Sequence, residues 1–246
     1  AMAYVAEEFH PSGMGGVMCP AVGGPGLGGG AGASCATGCA PAWRPASAGA
    51  CVASCASAAS VAALGMLAID GDVSDPAAIE RLFAETESRL GDCDILINCA
   101  GMIDPKILTE VTLEDWDRMF AVNVRGTFLA SRRALPSMIA RRAGAIVNVA
   151  SISGVPGPEK FPGWVSYCAS KAAVIGLIEA LAVEVKQFGV RVNSVSPGSV
   201  DTKMWADASG GAPAAMTADE VAEVICFLAS DRARAVNGQD VHVYSS

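Results

Sequence analysis

From residue 66 onward, short apolar runs alternate with amphipathic stretches. Met66–Asp70 is a brief apolar run closed by Gly71-Asp72. A helix is predicted from Pro76 to about Leu90, with Ser74 as its cap and Pro in its first turn. Asp94–Cys99 reads as a buried strand ended by Ala100-Gly101. Thr112, just ahead of Glu114, Asp115 and Asp117, opens a helix expected to run to about Leu135, before Pro136. Gly144–Ala150 is another apolar strand. Within Val165–Phe188, the residues Val174, Ile178, Leu181 and Val185 recur at helical spacing on one face. Val190–Val195 is a strand closed by Pro197-Gly198. Thr217 and Glu220 form a capping box for a helix to about Ala229, and Val241–Tyr244 supplies a last strand. Strands separated by helices of this length predict βαβ units: a doubly wound α/β fold with a parallel sheet and helices on both faces. Such sheets bind ligands beyond the C-terminal ends of their strands, where the strand order reverses.

Composition refines this in three ways. The chain has 246 residues, 52% of them hydrophobic, enough for a sizeable core, and it is read as one domain spanning 1–246. A net charge of −8 argues against a nucleic-acid partner, which needs a basic footprint. Residues 11–69 stand apart: Arg44 is their one charge, and they hold five of the nine cysteines and thirteen of the 27 glycines. Large apolar residues are too sparse in 51–69 for a membrane span, which needs ~20 predominantly apolar residues. Glu7 and Glu8 stand where a secretory leader would be basic, so a cytoplasmic location is expected. Cys35, Cys39, Cys51 and Cys55 form two Cys-x-x-x-Cys pairs that could hold zinc. Small buried core residues are the preferred reading, and no metal is expected.

Chemistry concentrates at the predicted strand ends. Tyr167 and Lys171 lie one helical turn apart on one face. A phenol with a pKa of ~10 is a poor base near neutrality, and a neighbouring ammonium favours its ionised form. Tyr-x-x-x-Lys is therefore a workable acid/base unit for moving a proton to or from a hydroxyl, although many packing tyrosines share that spacing. Ser151 follows an apolar strand, where a hydroxyl can face a cleft or simply close a turn. Asn123 sits mid-helix, where an amide has no propensity reason to be; the plain alternative is a surface residue.

Taken together, the chain resembles the short-chain dehydrogenase/reductase family over residues 66–246. The resemblance is carried by Asp72-Val73, Asn98-Cys99-Ala100-Gly101, Asn123 in FAVNVRGTF, Ser151 after IVNVA, Tyr167-Cys168-Ala169-Ser170-Lys171, and Pro197-Gly198 with Thr202 in VSPGSVDT. It implies a Rossmann-type fold and an NAD- or NADP-dependent oxidoreductase that interconverts an alcohol and a ketone or aldehyde. Asn123, Ser151, Tyr167 and Lys171 would form the catalytic tetrad. Tyr167 would be the acid/base and Ser151 the hydrogen-bonding partner of the substrate oxygen. Lys171 would lower the tyrosine pKa and hold the nicotinamide ribose, and Asn123 would support a water in the proton relay. Asp72 and Val73 would contact adenine. Asn98, Ala100 and Gly101 would line the adenosine ribose, and Pro197, Gly198, Val200 and Thr202 would hold the nicotinamide. Ser153 is the second candidate for the serine, because the interval to Tyr167 is longer than the family's usual one. Trp164, Met102 and Trp205 suggest an apolar-walled site. The expected partners are a small alcohol or carbonyl substrate and further copies of the chain in a homodimer or homotetramer.

The N-terminal third departs from the pattern. The family opens with a strand, a glycine-rich turn and a helix whose N-terminus receives the pyrophosphate. Gly24, Gly28 and Gly30 fit the glycine spacing, in a tract where other glycines fit too. Gly38, Pro41 and Pro45 would interrupt the following helix. No acidic residue lies near residue 48 to bind a ribose 2′-hydroxyl, and Arg44 is the one cation there for a 2′-phosphate, which leaves NAD and NADP both open. Residues 11–69 read as a drifted or out-of-frame stand-in for the first βαβ unit. The rival to an enzyme is accordingly a catalytically silent, dinucleotide-binding or scaffold protein of the same fold.

Overall fold

A computed structural model describes residues 2–6, 50–54, 67–158 and 160–244. Its centre is a parallel sheet of seven strands among the described residues: β1 (Met2–Ala6), β2 (Ala50–Ser54), β3 (Leu67–Asp70), β4 (Cys93–Asn98), β5 (Gly144–Val149), β6 (Val190–Pro197) and β7 (Asp240–Val243). The spatial order is β3-β1-β2-β4-β5-β6-β7. The usual doubly wound order places the first strand of the chain beside the fourth. Here that slot is taken by Ala50–Ser54, and Met2–Ala6 lies one place further out. The strand order still reverses beside β4, so the ligand crevice is expected where the sequence put it.

Helices cover both faces. On one side α1 (Pro76–Leu90), α3 (Thr127–Arg141) and α4 (Val165–Val185) bury Phe83, Met138 and Ile178 against Leu96, Ile146 and Val192. On the other, α6 (Ala218–Ala229) buries Val221, Ile225 and Leu228 against Ile97, Val147 and Val195. This two-sided cover explains why β6 is a nearly continuous buried run rather than an alternating one.

Element positions follow the hydrophobic pattern, and three details differ. The cap of α1 is Asp75 rather than Ser74: its carboxylate accepts from the Ala77 amide at 3.0 Å, with Pro76 in the first turn. The helix opened by Thr112 is not continuous. α2 (Leu113–Phe120), with a full Thr112/Asp115 capping box, passes into a π-helical turn, Ala121–Gly126, before α3 begins. And α3 does not stop before Pro136 but continues to Arg141. A proline inside a helix costs ~3 kcal/mol. Burial of Ala134 and Met138, at 1% and 0% exposure, offsets that cost. The capping box predicted at Thr217 and Glu220 is present. Between Gly198 and Thr217, where no helix was expected, Lys203–Ser209 forms the short helix α5. No helix among the described residues is long and apolar enough to cross a membrane.

Candidate active site

The site forms where β4, β5 and β6 end. The Ala150 amide donates to the Val195 carbonyl at 2.8 Å, which fixes the exit of β5 and hence Ser151. The Ser151 hydroxyl accepts from the Ser153 amide at 3.1 Å and lies beside the Tyr167 phenol, whose ionised form it favours. Ser153 is buried but turns its amide toward Ser151, so Ser151 is the serine brought to the tyrosine. Lys171, one turn beyond Tyr167 on α4, donates from Nζ to the Val149 carbonyl at 2.8 Å. Tyr167, Lys171 and Ser151 are 7%, 3% and 8% exposed.

Asn123 is not a surface residue. It projects from the π-helical turn at 1% exposure and clamps the loop after β4. Its Oδ1 accepts from the Met102 amide at 2.7 Å, and its Nδ2 donates to the Met102 carbonyl and to the Ser170 hydroxyl, each at 2.9 Å. Ser170 in turn donates to the Tyr167 carbonyl at 2.8 Å. One amide thus ties the β4 loop to the helix that carries the tyrosine. The Thr127 hydroxyl donates to the Asn123 carbonyl at 3.0 Å, satisfying a backbone group where the helix widens. π-helical turns of this kind are frequent at functional sites. Ser170 and the backbone of Met102 were invisible to sequence reasoning, because neither a serine before a lysine nor a loop backbone carries a signal of its own.

Electrostatics at Tyr167 differ from the expectation. Burial pushes the phenol up to about 12, and the Ser151 hydrogen bond works against that shift. Lys171 lies over the ring, 5.7 Å from its centroid. A phenol in this environment stays protonated at neutrality.

A roof of aromatic side chains covers the tyrosine. Trp164 meets Tyr167 edge-on at 5.8 Å between centroids and Phe161 at 4.8 Å. Trp205, on α5, packs against Trp164 and Phe161, each at 6.3 Å. Its indole N–H donates to the Ala212 carbonyl at 2.7 Å, which ties α5 to the segment that follows it. Ile103, Met119, Met102 and Met204 complete the apolar wall.

The other sequence-predicted positions are placed as follows. Asp72 is exposed, and its carboxylate accepts from the Ser74 amide at 2.7 Å; Val73 is buried at 8% exposure. The Asn98 amide is committed inside the sheet, donating to Asn148 Oδ1 at 2.8 Å and to the Ser131 hydroxyl at 3.2 Å. Its Nδ2 orders the end of β4. Ala100 and Gly101 follow it. Gly198 donates its amide to Val243 at 3.0 Å, after Pro197 has ended β6. Val200 bridges to Met216. Thr202 caps α5, its hydroxyl accepting from the Trp205 amide at 3.3 Å. Gly24, Gly28, Gly30, Arg44 and the cysteine pairs other than Cys51 of β2 lie outside the described residues. Among the described residues there is no group of three or more His, Cys, Asp or Glu placed to hold a metal.

These residues fit the ribose end of a nicotinamide cofactor. A side chain at Gly101 would put its Cβ 3.3 Å from both Asn123 Oδ1 and Lys171 Nζ, so the glycine keeps open the space in front of them. An ammonium and a phenol there are suitable partners for ribose hydroxyls.

Comparison with known proteins agrees. A family model described as Enoyl-(Acyl carrier protein) reductase matches residues 30–245. The 3-oxoacyl-[acyl-carrier-protein] reductase FabG of Staphylococcus aureus (strain Mu50) is 33% identical over 186 residues, covering 72% of this chain and 74% of that protein. Meso-2,3-butanediol dehydrogenase of Serratia marcescens is 36% identical over 200 residues, 76% of each. The solved structure of a doubly substituted mutant of a Serratia marcescens short-chain dehydrogenase/reductase superposes with a TM-score of 0.68 at 31% identity, covering 79% of this chain and 85% of that one. With the fold, the strand-end site and these relatives in agreement, the chain belongs to the short-chain dehydrogenase/reductase family of NAD(P)-dependent oxidoreductases.

Proposed function

We propose that this protein interconverts an alcohol with the corresponding ketone or aldehyde, with Tyr167 as the acid/base. The single observation that carries this is the burial of Ser151, Tyr167 and Lys171 together at the end of β5, with the serine beside the phenol and the lysine one helical turn from it. Bound NAD(P)H supplies the hydride that reduces the substrate carbon. Tyr167 gives its proton to the substrate oxygen, which ends as a hydroxyl, and takes one back in the reverse direction. Ser151 donates a hydrogen bond to that oxygen and orients it. Lys171 holds the nicotinamide ribose, and its charge favours the phenolate left after the proton has moved. Asn123 fixes the loop that borders the relay.

In this reading Ala100 and Gly101 line the adenosine ribose, and Asp72 and Val73 hold the adenine. Pro197, Gly198, Val200 and Thr202 border the nicotinamide. The roof of Phe161, Trp164 and Trp205 carries no charge, which favours an apolar substrate. The whole chain acts as one dinucleotide-binding domain in the cytoplasm, in a homodimer or homotetramer. Phe128 on α3 and Val183 on α4, 44% and 64% exposed, are suited to an isologous helix interface.

The test is a direct assay. With NADH or NADPH and a panel of apolar ketones, nicotinamide absorbance should fall in a substrate-dependent way, and Tyr167→Phe should stop it. Turnover by the Phe variant within a few-fold of the parent removes the tyrosine from this role.

A further inference from the structure

The π-helical turn Ala121–Gly126 reaches two places at once. Asn123 faces the tyrosine helix, as described above. Three residues on, Gly126 packs directly on Val73. A Cβ at Gly126 would lie 2.9 Å from Val73 Cγ2, and 3.2 Å from both its Cβ and its carbonyl oxygen. Any residue larger than glycine must move Val73 or its backbone. Between the two, Arg125 donates from Nε to the Ser74 carbonyl at 3.3 Å. The turn 72–74 is otherwise closed by the Asp72–Ser74 contact and by the Asp75 amide donating to the Asp72 carbonyl at 3.0 Å. Both of those bonds are local to the turn. Gly126 and Arg125 join it to the helix that carries Asn123.

We infer that Gly126 and Arg125 are positioning residues for the adenine half of the cofactor site, setting its distance from the catalytic half through one helical turn. The inference rests on the proposed reading that Asp72 and Val73 hold the adenine. A void of about 30 Å³ beside Val73, also lined by Leu82, Leu96 and Ala100, gives a displaced valine somewhere to go. A methyl group at position 126 is therefore expected to shift the adenine site without unfolding the protein.

The experiment compares two probes by nicotinamide fluorescence: the reduced dinucleotide, and reduced nicotinamide mononucleotide, which has no adenine. Gly126→Ala should weaken dinucleotide binding about tenfold and leave the mononucleotide unchanged. Arg125→Ala removes one hydrogen bond and should shift the same ratio about threefold. At saturating dinucleotide, kcat of both variants should stay near the parent's while the cofactor KM rises. Equal weakening of both probes, or no weakening of either, overturns the inference. Should Gly126→Ala fail to fold, Arg125→Ala decides by the same ratio. Asp72→Ala separates the two levels of the claim. If it weakens the dinucleotide selectively while Gly126→Ala does not, the coupling is wrong and the adenine reading stands. If Asp72→Ala has no selective effect, the adenine reading falls and takes the coupling with it.

Discussion

At the catalytic end of the cleft, Asn123 hydrogen-bonds the Met102 amide, the Met102 carbonyl and the Ser170 hydroxyl at 1% exposure, and every tetrad side chain is buried. At the proposed adenine end, Asp72 is exposed and its carboxylate turns back on Ser74, two residues away. The first region is held by contacts between β4, the π-helical turn and α4, so altering one member leaves buried groups unpaired. The second is joined to the fold by the buried Val73 and by Arg125, but the Asp72 carboxylate itself faces water, where a lost hydrogen bond is replaced by solvent. On the proposed reading, the cleft is fixed from within where proton transfer needs set geometry, and its adenine-facing carboxylate is supported by solvent.

The sharpest way to break the catalytic end is chemical. Tyr167→Phe is expected to lower kcat by ~10²–10⁴-fold, since it removes the proton donor. The dinucleotide affinity from a fluorescence titration should hardly change.

Asn123→Ala attacks the scaffold of the same region. It leaves the Met102 amide and carbonyl without their partner, each costing ~1–3 kcal/mol when buried. Urea unfolding should show a loss of about 3 kcal/mol, with kcat reduced as well. Asp72→Ala, the counterpart at the adenine end, should stay within about 1 kcal/mol of the parent in the same assay. Equal losses for the two would erase the contrast.

A pH titration reads the burial of the phenol. Tyr167 ionises near 10 in the unfolded chain and at about 12 in the fold. A raised folded pKa contributes stability that is complete below about 10 and lost as pH climbs toward 12. The parent should therefore lose stability across that window, by about 3 kcal/mol from this group. Tyr167→Phe should lose correspondingly less, so the difference between their alkaline unfolding curves is the quantity to measure.

The smallest effect concerns the roof. Trp205→Ala should raise the KM of an apolar ketone by about tenfold and leave kcat within a few-fold, because the indole touches Trp164 and Phe161 rather than the phenol. Steady-state kinetics on a ketone series distinguish this from a general loss of activity.

Much of the fold was legible because periodicity and caps are local signals. The runs at Asp94–Cys99, Gly144–Ala150 and Val190–Val195 announce the buried strands β4, β5 and β6, each within a residue or two of its observed ends, and the Thr217/Glu220 box announces a helix start. The break between α2 and α3 was not legible, since the groups that reward it, the Met102 backbone and the Ser170 hydroxyl, are distant in sequence from Asn123 and carry no pattern. Pro136 misled for a related reason: its cost is local, while the burial that offsets it belongs to the whole core. The strand order β3-β1-β2-β4 was equally hidden, because pairing between parallel strands is settled by neighbours far along the chain.

By itself the sequence determined the parallel α/β layering and the types of side chain available for proton transfer, because hydrophobic spacing and residue chemistry act over a few residues. Tertiary structure decided which serine meets Tyr167, how far burial raises its phenol, and that the Asn98 Nδ2 is held by Asn148 and Ser131. Those outcomes depend on which groups share a solvent-free space, and that is fixed only when β4, β5 and α4 come together.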